Sequence, residues 1–320
     1  MAIITNTFQQ FQAIGVREDL SDIIYDVSPT ETPFLTNAGR GEKLTNTFFE
    51  WQTDALATAS TTNQQIEGDD ITSYDAVTPT VRLGNYAQIS RKTVIISETE
   101  EVVDKAGRQS ELSYQLAKKG KELKRDMEAD LLANKGANAG STSVARKTGS
   151  LLAFIKTNQS LGSGGVAPVY TSIPTDVWTD GTQRAFTETI LKNVIEECWT
   201  SGAEPKTLMV GALGKQVVSG FAGVVELTAD QNRKGQATII GAADAYVSDF
   251  GTLSVVPNRF QRTSTAFVLD WDYVSVRYLR PFQQTPLAKT GDAQKRLMLA
   301  EYGLEVKNEK ALGVAVDLTP

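Results

Sequence analysis

The stretch from Ser110 to Asn134, SELSYQLAKKGKELKRDMEADLLAN, restricts the fold more than any other part of the chain. It has no proline and one interior glycine, Gly120, and it is rich in Ala, Leu, Glu, Lys and Gln, which lose little rotamer freedom in a helix. Leu112, Leu116, Leu123, Met127 and Leu131 recur at spacings of four, seven, four and four, so they fall on one stripe of a helix. Ser110 suits the N-cap, Glu111 the positive end of the dipole, and Asn134 to Gly136 a left-handed exit. The expected element is a rod roughly 35 Å long with a single apolar edge. Its polar surface carries Lys118, Lys119, Lys121, Lys124 and Arg125 among Glu122, Asp126, Glu128 and Asp130. Such interleaving reads either as a self-paired, solvated face or as a basic track for an acidic partner.

A chain of 320 residues, 41% hydrophobic and 22% charged, can bury a sizeable core and ordinarily divides into about two domains. No apolar run has the length of a membrane span, and the start, MAIITNTFQQF, has neither a basic region nor a signal-like core, so a cytoplasmic setting is expected. Histidine is absent. That disfavours the enzymes that use imidazole as base, metal ligand or partner of a nucleophile. The 38 acidic residues show no metal-binding or acid/base spacing, and neither cofactor nor metal is expected. The single cysteine, Cys198, lies in the apolar helical setting VIEECW and reads as a packing residue. A net charge of −6 argues against gripping nucleic acid as the main task, while leaving room for a weak contact with it.

Residues 1 to 37 read as an extended arm with a short helix near 17 to 25, after which Pro29, Pro33, Gly39 and Gly41 interrupt regular structure. From Leu44 to Val81 there is no Lys or Arg, whereas Glu50, Asp54, Glu67, Asp69, Asp70 and Asp75 are acidic. TNTFFEWQTDAL and TPTVRLGNYAQISRKTVIIS favour strands on either side of a small, polar middle, which predicts an extended hairpin. Such a finger has little to bury and needs a partner. Ser97 and Glu100 form a capping box for a short helix, with Gly107 as its close. SLGSGGVAP is glycine-rich, yet lacks the Lys-Ser or Lys-Thr of a phosphate-binding loop. Thereafter a helix over Thr187 to Ser201, with Ile190, Leu191, Val194, Ile195 and Cys198 or Trp199 inward, precedes a buried strand, Thr207 to Val210, and a helix from Ala212. Strands are expected in AYVSDF, TLSVVP, TAFVLD and YVSVRYL, then over Leu297 to Val306 and Leu312 to Leu318. The fold class is α+β.

Arm, acidic hairpin, long helix, mixed domain and closing strands follow the order found in the major capsid proteins of tailed double-stranded DNA bacteriophages. AGRQSELSYQLAKKGKELKRDMEADLLANKG and EYGLEVKNEKALGVAVDL resemble the spine helix and last peripheral strands of a podophage-like subfamily of this Hong Kong 97 (Johnson) fold. The resemblance spans the whole chain. It implies an N-terminal arm over 1–37, an extended loop over 38–96, and a peripheral domain over 97–150 that holds the spine helix, 110–134. An axial domain over 151–280 and closing strands over 281–320 complete the division. It further implies a non-enzymatic subunit of the virion capsid, assembled in the host cytoplasm into hexamers and pentamers around packaged DNA. Scaffolding, portal and decoration proteins are the implied partners besides further copies. Some relatives cross-link a loop lysine to a neighbour's asparagine, but the loop here has no lysine between Asn46 and Val81, and Lys43 and Lys92 sit only at its base. No long acidic scaffolding extension precedes the arm, so a scaffold would be a separate protein.

The candidate contacts between copies are Glu67, Asp69 and Asp70 on the finger and Lys118, Lys121, Lys124 and Arg125 on the rod. A lone copy is expected to leave both the finger and the rod's apolar edge uncovered. The alternatives are an encapsulin-like shell around a cargo enzyme, with the same fold, and an enzyme that works without histidine.

Overall fold

The computed structural model describes residues 28–68, 70, 74–105, 107–221 and 244–319. The short helix expected near 17 to 25 lies outside them, as does Asp69. The first part of the chain forms α1 (Pro33–Asn37), β1 (Gly39–Arg40), β2 (Phe48–Thr53), β3 (Val81–Tyr86), β4 (Gln88–Ser97), α2 (Glu98–Val102) and α3 (Glu111–Leu132). Then come α4 (Leu151–Phe154), β5 (Gln159–Ser160), α5 (Glu188–Thr200), β6 (Thr207–Val210) and α6 (Ala212–Ser219). Strands dominate the remainder: β7 (Ala245–Ser248), β8 (Gly251–Pro257), β9 (Ala266–Leu269), β10 (Val274–Pro286), β11 (Ala293–Val306) and β12 (Gly313–Ala315). They assemble as a four-stranded sheet, β1-β10-β11-β4, a six-stranded sheet, β5-β12-β9-β6-β8-β7, and the separate hairpin β2-β3. The α+β class expected from the residues is the observed one.

The long helix forms where its pattern places it, with the Ser110 hydroxyl accepting from the Ser113 N–H as N-cap. Its apolar edge is not left uncovered, however. Leu123, Met127, Leu131 and Leu132 have no exposed surface in a single chain, and only Leu112 and Leu116, nearer the N-terminus, are half-buried. The C-terminal half of the stripe packs on α4, the arm and the β4-β11 face, in a core that also takes Met209, Phe267 and Leu269 from the six-stranded sheet. One helix thus serves both sheets. The left-handed exit does not occur: Ala133 leaves extended, and the Asn134 amide instead donates to the Trp178 carbonyl at 2.7 Å and accepts from its N–H at 2.9 Å. A side chain that ties two loops together replaces the turn.

Four further boundaries differ from the pattern. Pro33 begins α1, because proline at the first helical turn has no N–H to lose. The long β-favouring run after the loop divides at Ala87: β3 pairs with β2, whereas β4 joins β11 in the four-stranded sheet. Leu312 to Leu318 yields only the short strand β12, because Asp317 takes φ +57 and turns its carboxylate onto the N–H groups of Gly162, 3.0 Å, and Gly181, 2.9 Å. That buried clasp is what the glycine-rich loop serves. At α2 the Ser97 hydroxyl caps as expected, but the helix closes at Val103 and Gly107 makes a later left-handed turn.

The second core lies on the other face of the six-stranded sheet, where Leu208, Val210, Ala266 and Val268 meet Leu191, Val194, Ile195 and Cys198 of α5 and Val218 of α6. Thus β6 is buried on both faces, as a continuous apolar run requires. Cys198, not Trp199, is the inward residue, and burial pushes its thiol up to about 12. A Cβ at Gly162 would overlap the Thr182 carbonyl oxygen and approach Asp317. Gly162→Ala is therefore expected to cost about 1–3 kcal/mol through overpacking, read as a lowered midpoint in chemical denaturation; an unchanged midpoint would show that the clasp yields freely.

Candidate assembly interface

The extended hairpin is firm at its base and uncovered beyond it. At the base, the Asn85 amide, fully buried, donates to Thr148 Oγ1 at 3.0 Å and to the Leu304 carbonyl at 2.7 Å, while its oxygen accepts from Gly149 N–H at 2.8 Å. Gly84 and Gly303 leave room for the Phe48 and Phe49 rings, since a Cβ at either would lie 2.7 Å or closer to them. Trp51 stacks on Phe49 at 5.8 Å and meets Phe154 of the main core at 5.9 Å. Past Thr53 the described residues are exposed up to Arg82, and Leu56, Ile66, Tyr74 and Val77 are each at least 79% exposed. Apolar side chains held this far from their own chain mark a contact surface. Glu67 and Asp70 are exposed on this finger, together with Asp54 and Asp75.

On α3 every acid is engaged within the chain. Glu111 meets Arg108 and Gln115, Glu122 meets Lys119 at 2.7 Å, Asp126 meets Lys92 at 2.5 Å, and Asp130 meets Lys135 and Gln88. Glu128 has no exposed surface. Its oxygens accept from the N–H of Phe34 at 2.7 Å, the N–H of Leu35 at 2.8 Å and the Asn258 amide at 2.7 Å, and burial raises its carboxyl above the ordinary value. By contrast, Lys118, Lys121, Lys124 and Arg125 have no carboxylate at ion-pair distance among the described residues. Lys118, Lys121 and Lys124 are exposed, and the Arg125 guanidinium lies 5.5 Å from the centre of the Phe260 ring. Among the described residues the self-paired reading of this face therefore holds, of these five cations, for Lys119.

Residue patterns had placed the cations and the finger but not Glu128 or Asn258. The available signal was slight: Glu128 directly follows Met127 on the buried stripe, where a carboxylate needs donors from elsewhere in the chain. Among the described residues no group of His, Cys, Asp or Glu side chains can hold a metal ion, and no helix is long and apolar enough to cross a membrane.

The sequence model of the SU10 major capsid protein family matches residues 3–319. The chain belongs to that family. It is 29% identical to the major capsid protein of Escherichia phage Phieco32, across 96% of each chain. Among solved structures it resembles the capsid of cyanophage A-1(L), with a TM-score of 0.68 at 13% identity over 95% of this chain and 98% of that one. It also resembles the capsid of a native gene transfer agent (GTA) particle, with a TM-score of 0.61 at 12% identity over 97% and 98%. These likenesses establish the Hong Kong 97-like capsid fold. The chain is a phage major capsid protein, many copies of which form the icosahedral shell of the virion, and the family match favours this over the encapsulin-like alternative.

In this capsid subunit the Glu128 cluster joins the arm to α3 and to the end of β8. Glu128→Gln substitutes an amide for one of two oxygens that each face a backbone N–H, which leaves a buried donor without an acceptor. The expected cost is about 1–3 kcal/mol, with faster hydrogen exchange at Phe34 and Leu35. Exchange there as slow as in the unsubstituted protein would refute the assignment.

Proposed function

We propose that the subunit self-assembles into hexamers and pentamers in the host cytoplasm, with the acidic finger of one copy lying across the basic face of α3 on the next. The observation that carries this reading is the mismatch within one chain. From Leu44 to Val81 there is no Lys or Arg, the described residues from Asp54 to Val81 are exposed, and four cations on α3 have no carboxylate partner among the described residues. Glu67 and Asp70, with Asp69 outside the described residues, would meet Lys118, Lys121, Lys124 and Arg125. Each exposed pair contributes only about 0–1 kcal/mol. Repetition around closed rings makes the sum decisive, because later contacts form at the high effective concentration set by earlier ones.

The proposed division places 1–37 as arm, 38–96 as extended loop, 97–150 with the closing strands of 281–312 as peripheral domain, and 151–280 with the final strand, which returns to it, as axial domain. The separate core around α5 and α6 supports an axial unit of its own. The role is structural, without catalysis. Packaged double-stranded DNA touches the shell weakly and without sequence preference, and scaffolding, portal and decoration proteins are separate partners.

Two measurements test the reading. Reversing Lys118 and Lys121 to Glu is expected to abolish sedimenting shells, and adding Glu67→Lys and Asp70→Lys to restore them; shells unaffected by the first pair of changes would exclude the contact. Assembled shells boiled in detergent should run as a single band at 34.7 kDa, since the finger has no lysine to form a cross-link. A ladder of covalent oligomers would refute that expectation.

A further inference from the structure

A sheet buries an apolar face against another layer, and the four-stranded sheet has one face that is covered over only part of its length. Strands β4 and β11 pair from Gln88↔Tyr302 to Ser97↔Ala293. Ser90 and Lys92 point towards α3, where Ser90 meets Tyr302 and through it Asp130, and Lys92 pairs with Asp126 at 2.5 Å. Alternation turns Ile89, Arg91, Thr93 and Ile95 to the opposite face, and the register sets Glu301, Leu299, Leu297 and Lys295 beside them. The hairpin β2-β3 covers the first part of that face: a Cβ at Gly303 would lie 2.5 Å from the Phe49 ring, and the Arg277 guanidinium sits 5.7 Å from the ring centre. Beyond Glu301 this cover ends. Ile89 is 45% and Ile95 65% exposed, Arg91 and Thr93 are exposed, and Leu297 and Leu299 are half-buried.

We infer that this bare half-face is a docking surface for an amphipathic helix with acidic flanks, carried by a protein other than the subunit. Size, apolar pattern and charge select the occupant. From Ile89 to Ile95 the face is about 20 Å long, a distance that a helix of about 14 residues spans. Ile89 and Ile95 at its ends, with Leu297 and Leu299 on the neighbouring strand, form a strip that the apolar stripe of one helix can cover. The free charge is positive. Arg91 has no carboxylate at ion-pair distance among the described residues, and Lys295 donates to the Thr290 hydroxyl, not to an acid. The acids nearby are already engaged: Glu301 is 3% exposed between Arg146 and Arg280, and Glu98, at the far end, pairs with Lys289. A partner's Asp or Glu therefore meets cations without facing a free carboxylate. The finger of a second copy also carries acids, but the contact proposed above commits it to α3, on the other side of this sheet; its exclusion as the occupant rests on that reading.

The probe is a fluorescein-labelled synthetic helix with leucines along one stripe and glutamates on both flanks, titrated by anisotropy into unassembled subunits and into shells. In at least one of the two forms it should bind about ten-fold more tightly than the same helix with lysine flanks, and Ile95→Asp or Arg91→Glu should each weaken it about ten-fold. Equal affinity for the two helices, or binding that neither substitution changes, overturns the inference. Should Ile95→Asp fail to fold, Arg91→Glu carries the test, because its side chain is exposed. Oxidising shells that carry Ile66→Cys and Thr93→Cys decides the competing occupant, since the native Cys198 is buried. No covalent ladder is expected. A ladder would place the finger on this face and overturn both the inference and the finger-on-helix contact, whereas failure of the peptide without a ladder overturns the inference alone.

Discussion

A carboxylate with no exposed surface holds together pieces of this chain that are far apart in sequence. Glu128 accepts from the first turn of α1 and from Asn258 at the end of β8, and it projects from the helix on which both sheets pack. Taking a carboxylate out of water is costly unless its oxygens find donors, and here three donors at 2.7–2.8 Å supply them. The arrangement works because the N–H groups at the start of a helix have no partners within it, so α1 brings two aligned donors at once. The arm is thereby placed by an interaction that exists only when α3 and the six-stranded sheet are already in position.

Order decreases outward from that point. Around α3 the core is continuous from Phe34 to Val316. Secondary clamps extend it: Glu301 lies between Arg146 at 2.6 Å and Arg280 at 2.7 Å, and Glu309 accepts from the Thr157 hydroxyl at 2.7 Å. The hairpin shares in this order only as far as Asn85 and the Phe48-Phe49 rings. Beyond Thr53 its described residues are exposed as far as Arg82, which is the low-stability end expected of segments that act by reaching another molecule. A rigid base with an uncovered tip suits a subunit that has to meet neighbours at several angles around a curved shell.

The charge distribution follows the same division. Acids on α3 are used to fix β4, the loop at Lys135 and the arm, so they stabilise one copy. Among the described residues Lys118, Lys121, Lys124 and Arg125 are at ion-pair distance from no carboxylate, while the stretch from Leu44 to Val81 carries acids and no Lys or Arg. The proposed contact between copies would bring these opposite signs together through pairs weak enough to be corrected during assembly.

Much of this was legible in the residues because it depends on local periodicity and composition. The extent of α3, its Ser110 cap, the helix Glu188–Thr200, the strand Thr207–Val210 and the one-signed finger each follow from spacing or side-chain chemistry within a few residues. What the residues could not show is how much of the rod's apolar stripe other segments cover, because burial depends on partners distant in sequence. The division at Ala87 arises for the same reason, since β2 and β11 compete for one β-favouring run and Asn85 settles the boundary by bonding to Thr148 and Leu304. Periodicity and composition by themselves therefore determined a long amphipathic helix, a mixed α+β chain and a projection that carries acids and no Lys or Arg. Tertiary structure alone decided that the C-terminal half of the stripe is covered within one copy, that Glu128 holds the arm, and that Lys118, Lys121, Lys124 and Arg125 have no carboxylate at ion-pair distance among the described residues, because each outcome is set by which distant groups come close.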